Sequence, residues 1–375
     1  MLVLPIRGVT NRRIAFRRGK VARSATINDV AKKAGVSIKT VSRVVNREAN
    51  VREKTREKVM SAINALDYRP NQAARGLAGN RSYLMGLLYD NPSPSYLANL
   101  QAGVLGACSA AGYGLALCPV SFAAADMDAT VEAWLKHTGV DGVILTPPLS
   151  DSMPLLARLQ ALGVPAVVVS SPGAKGAVAV PAVMIDEEEA ARQVTAHLIE
   201  AGHKTIGFIK GHPDHYASAH RYAGFLAAMG EAGLTPEPAH IKGGRFDFAS
   251  GETAGDALLA MRGRPTAIFA SNDDMAAGVM HVAHRLGLDI PRDLAVVGFD
   301  DTPLSRQIWP TLTTIRQPIR QIGERAAEIL MARLGGSKKT EGSALHQLDF
   351  ELKVRGSSAA KATSSPNAGP SIRSL

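Results

Sequence analysis

The chain has 375 residues, which is more than one compact hydrophobic core usually contains. This length predicts two or three domains. Hydrophobic residues make up 46% of it and charged residues 20%, which excludes an intrinsically disordered protein, and no apolar run is long enough to cross a bilayer. The formal net charge of +10 is unevenly distributed, because residues 1–80 carry 18 basic residues against 5 acidic ones while the remainder carries 25 against 28.

A strongly basic head on a mildly acidic body indicates a nucleic-acid-binding module joined to a second function. The head begins with residues 1–24, which are predicted to form a basic, disordered extension. Its short apolar start is not a secretory signal, because arginines follow at once. The extension is either an arm that adds phosphate contacts or the product of a start codon placed too far upstream, and the sequence does not separate these alternatives.

Two short helices joined by a tight turn are predicted within residues 25–70. Thr26 is a good N-cap for the first helix, and Gly35 ends it because glycine adopts the left-handed conformation that a sharp turn requires. Ser37 caps the second helix. A Gly-Val-Ser turn at this spacing is typical of a helix-turn-helix motif, and a third helix at about 54–66 would close its small core. A bare helical bundle is the alternative.

The second helix of such a motif lies in the major groove of DNA, where its outward side chains meet base edges. The residues predicted to bind DNA in this head are Thr26, Ser37, Ile38, Lys39, Thr40, Ser42, Arg43 and Asn46.

The sequence of the head resembles that of one known family. The strings TINDVAKKAGVSIKTVSRVVN and VREKTREKVMSAINALDYRPNQAARGLAG are similar to the DNA-binding head of the LacI/GalR (lac repressor) family. The resemblance continues to about Arg355, so it covers most of the chain. It implies a sequence-specific regulator that binds a palindromic operator as a homodimer.

The resemblance assigns residues 71–80 as a hinge helix, with Asn71 and Leu77 among the DNA-binding residues. Alone, so short a helix is marginal, since helix nucleation is costly. In the family, two copies fold against each other on DNA, and a leucine from each enters the minor groove at the operator centre. Leu77 occupies that position here; from the sequence alone it would be a buried linker leucine.

After the hinge, short apolar runs alternate with helical stretches such as 97–111. The runs include GLALCP, GVILTPP, AVVVSS, TIGFIKG, TAIFASND and LAVVGFDD. This alternation predicts two α/β subdomains with doubly wound parallel sheets and a ligand at the carboxyl ends of their strands.

The family resemblance implies a periplasmic-binding-protein-like fold for this body, residues 81–356, with crossovers near Pro181, Thr311 and Thr340. These crossovers divide the body into an N-subdomain of about 81–181 and 312–340 and a C-subdomain of about 182–311 and 341–356. Residues 357–375 are rich in Ser, Ala, Gly and Pro and are predicted to be a disordered tail. The tail has no leucine heptad, so a dimer is the simplest assembly.

Several polar and aromatic residues follow the predicted strands, and the resemblance implies that they bind a small-molecule effector. They are Tyr96, Leu97, His215, Arg221, Phe246, Asn272 and Asp300. The planar fork of an arginine suits paired hydroxyls or a carboxylate, and an aromatic ring can lie across a ligand. Taken singly, each has a structural alternative: Asp300 as a helix cap, Phe246 as core.

The same positions favour a carbohydrate over a purine. The family's purine-binding branch has an arginine where His215 stands and a threonine where Ala217 stands, and its tryptophan near Ser171 is absent. His212 and His215 form an H-x-x-H pair without a clear third ligand, so a metal site is not expected. The two cysteines, Cys108 and Cys118, neither staple the fold nor have zinc-site spacing, which fits a reducing cytoplasm.

Together these features predict a non-enzymatic, cytoplasmic and nucleoid-associated repressor of carbohydrate-use genes, released from its operator by a mono- or oligosaccharide. No cofactor is expected. The closest competing hypothesis is a regulator that responds to a purine or uses its ligand as a corepressor. A periplasmic sugar-binding protein would not need the basic head, and an enzyme lacks support because no G-x-S-x-G, Walker or G-x-G-x-x-G motif is present.

Overall fold

The computed structural model describes residues 25–45, 50–68, 81–170, 180–335 and 345–358. The chain divides into two compact units, a head within residues 1–80 and a body within residues 81–375. Asn46, Asn71 and Leu77 lie outside the described residues, as do the predicted extension and hinge helix.

The described part of the head contains three helices: α1 (Ile27–Ala34), α2 (Ile38–Val45) and α3 (Glu53–Ala65). Thr26 and Asp29 begin α1 with a reciprocal capping box, in which the Thr26 backbone N–H donates to Asp29 Oδ2 over 2.8 Å. Gly35 ends α1 at φ 65°, and Ser37 Oγ accepts from the Thr40 N–H over 3.2 Å at the start of α2. The helices bury a common core of Val30, Ala31, Val41, Val44, Val59 and Ala62. The predicted helix-turn-helix is confirmed.

The described part of the body contains two six-stranded sheets, each flanked by helices. The first sheet has the spatial order β11 (Leu345–Gln347), β5 (Ala182–Met184), β4 (Ala166–Val169), β3 (Gly142–Leu145), β1 (Leu84–Tyr89) and β2 (Gly114–Pro119), and all its pairings are parallel. Its helices are α4 (Pro94–Ala110), α5 (Met127–Thr138), α6 (Met153–Ala161) and α12 (Ile319–Leu334).

The second sheet has the order β12 (Glu351–Lys353), β10 (Thr313–Arg316), β9 (Ala295–Asp300), β8 (Ala267–Ala270), β6 (Ile206–Ile209) and β7 (Ile241–Lys242). All its pairings are parallel except that of β12 with β10. Its helices are α7 (Glu187–Glu200), α8 (Tyr216–Glu231), α9 (Phe248–Leu259), α10 (Asp273–Arg285) and α11 (Leu304–Gln307). Two doubly wound subdomains are therefore confirmed.

The predicted crossovers near Pro181, Thr311 and Thr340 each fall one strand too early. β5 and β11 pair in the first sheet, and β10 pairs in the second, which is the reverse of the predicted assignment. The chain therefore crosses after each of these strands. The cause of the error is physical: a strand's own residues show that it is a strand, but its sheet is decided by partners distant in sequence.

The folded body also extends past its predicted end at residue 356. Ser357 and Ser358 are buried, and Ser357 Oγ accepts from the Thr313 N–H over 2.8 Å while donating to the Val296 carbonyl over 2.6 Å. These two serines belong to the second subdomain and not to a disordered tail. Composition alone misassigns them, because the Ser357 hydroxyl pairs with backbone groups of β9 and β10 that are distant in the sequence.

Close helix pairs position the residues that face the other subdomain. A side chain at Gly103 of α4 would meet the Arg320 carbonyl of α12 at 2.0 Å, and one at Gly224 of α8 would meet the Glu188 carbonyl of α7 at the same distance. Only glycine lets these backbones approach so closely. Among the described helices, none has the length and apolarity that a membrane crossing requires.

Candidate functional site

An inner cavity lies between the two subdomains, where the carboxyl ends of both sheets meet. It encloses about 380 Å³ between protein atoms, its open mouth included. Open parallel sheets present loops at these ends, so each strand delivers the residues that follow it to one shared cleft. Residues of both subdomains border this space, which is the usual place for a small organic ligand in such folds.

Six of the seven residues predicted to bind an effector line this cavity: Tyr96, His215, Arg221, Phe246, Asn272 and Asp300. Leu97 is not among the residues that line the cavity. It follows Tyr96 on α4, where successive side chains diverge by about 100°, so Leu97 is half-buried on another face of the helix and does not line the cavity. Sequence reasoning missed Asn91, Ser93, Pro147 and Ser170, which complete the lining together with Ala217, the position already compared with the purine-binding branch.

Arg221 is the cationic centre of the cavity and is itself buried. Its Nε donates to Glu187 Oε2 over 2.8 Å, one terminal nitrogen donates to the Ser271 carbonyl, and the other lies 3.9 Å from Asp300 Oδ1. The guanidinium stacks 3.6 Å above the centre of the Phe299 ring. Burial opposes its charge, but the Glu187 and Asp300 carboxylates outweigh this, so the pKa of Arg221 is raised. The fork is held in one orientation before any ligand arrives.

Asp300 ends β9 with its backbone in the left-handed region, at φ 111°. Its Oδ1 accepts from Gln317 Nε2 over 2.7 Å. Burial raises the pKa of Asp300 well above its usual value, which the Arg221 charge only partly offsets. Phe246 also has a positive φ, 63°. Non-glycine residues hold such conformations where the surrounding structure imposes them, and functional sites are a frequent case.

The Phe246 ring forms an aromatic wall of the cavity, and the backbone against which it packs fixes its position. Its ring lies against the backbone of Gly211, where any Cβ would approach the ring to 1.9 Å. Asn272 caps α10 by accepting from the Met275 N–H over 2.9 Å and donates to the Phe246 carbonyl over 2.8 Å. Both polar groups of the Asn272 amide are therefore engaged, and one of its roles is to hold Phe246.

His215 and Tyr96 complete the wall as neutral polar groups. The His215 ring centre lies 5.2 Å from that of Phe246. Burial, reinforced by the nearby His212 and Arg221, lowers the pKa of His215 to about 3, so its imidazole is uncharged at pH 7. Burial raises the pKa of Tyr96, with the Asp300 and Glu187 carboxylates adding to the effect. A neutral imidazole and a phenol each both donate and accept hydrogen bonds.

Two hydrogen bonds join the subdomains across the cleft. Ser93 Oγ donates to Asp274 Oδ2 over 2.7 Å, and the Tyr216 backbone N–H donates to Asp151 Oδ2 over 3.0 Å. Ser93 stands at the start of α4 but makes no side-chain cap there, because its hydroxyl reaches the other subdomain instead. Burial raises the pKa of Asp274, an effect that the Ser93 hydrogen bond opposes.

The predicted histidine pair is not accompanied by further metal ligands. The rings of His212 and His215 are 5.3 Å apart between centres. In the described part of the chain, no group of three or more His, Cys, Asp or Glu side chains is placed to hold a metal ion.

The head presents a second candidate surface on α2. Ile38 is 50% exposed, Lys39 and Arg43 are exposed, and Thr40 and Ser42 are half-buried. Ser37 Oγ and Thr40 Oγ1 share a hydrogen bond of 2.9 Å, so these hydroxyls are already oriented. Thr26 is exposed at the start of α1. Apart from the apolar Ile38, the described DNA-binding candidates of the eight-residue helix α2 are thus polar or basic.

Two family models match the chain. Residues 26–71 match bacterial regulatory proteins of the lacI family, and residues 195–358 match the periplasmic binding protein-like domain.

Similar proteins share this organisation over nearly their whole length. Catabolite control protein A of Priestia megaterium is 35% identical over 338 residues, which cover 88% of this chain and 98% of the relative. The HTH-type transcriptional repressor PurR of Vibrio vulnificus (strain CMCP6) is 34% identical over 336 residues, with the same coverage.

Two solved structures are also similar. The lac repressor dimer bound to operator and the anti-inducer ONPF has a TM-score of 0.72 and 29% identity, covering 90% of this chain and 99% of its own. The complex of the transcriptional regulator CelR with cellobiose has a TM-score of 0.67 and 31% identity, covering 89% and 99% respectively.

Proposed function

The chain belongs to the lacI family of bacterial regulatory proteins, and from that premise we propose that it is a repressor of carbohydrate-use genes whose operator affinity a sugar changes. As a family member it is a DNA-binding transcriptional repressor that acts as a dimer and responds to a small-molecule effector. We propose that it acts in the cytoplasm, at the nucleoid, because operator DNA lies there. The proposal gives the chain no catalytic step.

One observation carries the sugar assignment: the inner cavity is built from both subdomains and combines a fixed arginine, a buried carboxyl and an aromatic face. Arg221, Asp300 and Phe246 supply these groups. Sugar hydroxyls donate and accept at once, so they match such a mixed set, and the apolar face of a sugar ring can lie on phenylalanine. The neutral His215 adds no cation that would favour a phosphate. The similar CelR structure holds cellobiose.

Effector binding would act through the relative stability of two states of the body. A ligand that contacts both subdomains favours the closure that gives it the most contacts, and DNA affinity changes to the extent that this state differs in DNA binding. We propose that the sugar lowers operator affinity, because the genes for using a sugar are needed when that sugar is present. A corepressor would give the opposite sign.

The direct test is fluorescence anisotropy of a labelled palindromic site from upstream of this gene. The titration is repeated with mono- and disaccharides and with purines at fixed salt, since phosphate contacts make affinity steeply salt-dependent. Release by a sugar supports the proposal. A purine that tightens binding would replace it with the second candidate, since Phe246 and His215 also offer aromatic rings to a purine.

The DNA-reading role of α2 is tested with single variants. Lys39→Ala should weaken binding to all sequences and lower the salt slope by about one if Lys39 contacts a phosphate. Arg43→Ala should relax specificity at one base pair and cost about 1–3 kcal/mol if Arg43 reads a base edge. Lys136→Ala removes an exposed lysine of the body and serves as the control. Equal behaviour of all three variants would remove α2 from the interface.

The proposed minor-groove role of Leu77 needs a separate readout. Leu77→Ala should reduce both operator affinity and operator bending, because the wedge supports a kinked duplex. Bending is followed by energy transfer between dyes at the operator ends. Unchanged affinity and bending would exclude the hinge mechanism.

A further inference from the structure

A second cavity adjoins the inner cavity and shares the His215 side chain as part of its wall. This outer cavity encloses about 560 Å³, against about 380 Å³ for the inner one. It also lies between the subdomains, since Asp90 and Phe122 follow strands of the first sheet and Arg245 and Asp247 follow β7 of the second. One ligand of sufficient length could therefore contact both halves of the body in both cavities.

The outer cavity is rich in hydrogen-bond acceptors and carries an excess of negative charge. Three carboxylates, those of Asp90, Asp214 and Asp247, line it together with one guanidinium, that of Arg245. Each carboxylate offers about four lone-pair sites. Asp90 uses one to accept from the Phe122 N–H over 2.7 Å, and Asp247 uses one to accept from the Ser250 N–H over 2.7 Å. The remaining acceptors suit hydroxyl donors and repel phosphate or carboxylate groups.

The two cavities each have an aromatic face, and the two faces come from opposite subdomains. Phe246 of the second subdomain lines the inner cavity, whereas Phe122 of the first subdomain lines the outer one. The hydrogen bond from the Phe122 backbone to Asp90 holds the Phe122 loop against the end of β1. The apolar faces of two successive sugar rings would thus have one aromatic partner each.

We propose that the effector is a neutral disaccharide or short oligosaccharide, with one ring in the inner cavity and the next in the outer cavity between Phe122 and Arg245. This inference rests on the proposed function, because it extends a sugar site in the inner cavity. The charge of the outer cavity excludes sugar phosphates and sugar acids from the second position. The second ring adds contacts that exist only when the cleft is closed, so a disaccharide should also shift operator affinity further than a monosaccharide.

The test is isothermal titration calorimetry on the full chain with glucose, galactose, cellobiose, maltose, lactose, and glucose 6-phosphate. At least one disaccharide should bind about tenfold or more tightly than its component monosaccharides, and glucose 6-phosphate should bind no better than glucose. Phe122→Ala should remove about tenfold of the disaccharide affinity and leave monosaccharide binding unchanged. Leu117→Ala truncates an exposed apolar side chain of β2 in the same subdomain and is the control.

Arg245→Ala provides a second variant should Phe122→Ala disturb its loop, because Arg245 is exposed and its side chain is not part of a core cluster. It should lower disaccharide affinity selectively. If the variants lose the same factor of affinity for monosaccharides and disaccharides, or if neither variant loses affinity, the second ring does not bind in the outer cavity. Arg221→Lys separates the proposed function from the proposed second ring position. Loss of all sugar binding in this variant would support the sugar site in the inner cavity, even where the Phe122 and Arg245 variants contradict a second ring in the outer cavity. Tighter binding of glucose 6-phosphate, or no binding by any sugar, overturns the inference.

Discussion

The hydrogen bond from Ser93 to Asp274 should contribute measurably to closure of the cleft. Both partners lie within the closed interface, the bond is 2.7 Å long, and its acceptor is a carboxylate. A hydrogen bond to a charged group is worth about 1.5–3 kcal/mol. Ser93→Ala should therefore lower the ratio of closed to open body by roughly ten- to a hundredfold, since about 1.4 kcal/mol is a factor of ten. Apparent effector affinity falls with the closed fraction once that fraction is no longer dominant.

Ser93 also lines the inner cavity, so a direct contact with the ligand must be separated from closure. Asp274→Ala removes the same hydrogen bond without removing a cavity-lining residue, and it also removes the 3.4 Å contact that Asn272 Nδ2 donates to Asp274 Oδ2. The double variant should weaken effector binding no further than Asp274→Ala alone, which is the signature of one shared interaction. Ser95→Ala, on the same helix, is the control.

Effector affinity is measured by calorimetry, and closure by the radius of gyration from small-angle X-ray scattering with and without ligand. Additive losses in the double variant would show that Ser93 acts on the ligand and not through Asp274. Unchanged affinity together with an unchanged radius in both single variants would refute the reasoning altogether.

Three further predictions concern the walls of the cleft. Arg221→Ala should lower the free energy of unfolding of the body by about 3–5 kcal/mol in urea titrations, because it leaves the Glu187 carboxylate buried and unpaired; a loss below about 1 kcal/mol would contradict a closed ion network. Gly211→Ala should displace the Phe246 ring and weaken effector binding about tenfold or more, at a stability cost of about 1–3 kcal/mol, and unchanged calorimetry would exclude the ring from the site. Burial raises the pKa of Asp273 to about 7, so the folded protein binds the proton of this carboxyl more tightly than the unfolded chain does. Proton binding therefore stabilises the folded state at low pH, and this stabilisation is lost as the pH rises through 7. Unfolding at pH 5 and pH 8 should differ by roughly 2–3 kcal/mol less in Asp273→Asn than in the wild type, and an equal difference in both would count against the buried carboxyl.

Local signals in the sequence were sufficient for the head. Thr26 and Gly35 act within one helix, and a cap or a left-handed glycine depends on neighbours three or four residues away. The local sequence therefore predicts the helix ends that the structure shows. The same holds for the alternation of strands and helices in the body.

The cleft could be predicted only in part, because its contacts join distant residues. Strand ends and the family resemblance placed Arg221 and Asp300 together, yet neither indicated that Glu187 would hold the guanidinium. Ser93 was missed because nothing close to it in the sequence indicates the residue that its hydroxyl contacts. Its actual partner is 181 residues away in the sequence, at Asp274. Sheet membership of β5, β10 and β11 was wrong for the same reason.

The chain passes three times between the two sheets, and this affects the order in which parts of the protein can fold during synthesis. The first sheet needs β11 and α12, and the second needs β10, β12 and the serines that follow, so both halves of the body wait for segments beyond residue 312. During synthesis, domains fold as units once their residues have emerged. The described helices of the head pack on one another within residues 27–65 and can fold early, whereas neither half of the body can be completed before β11 and β12 have left the ribosome. A nascent chain would therefore form α2 and its two packing partners well before it completes the cleft between the subdomains.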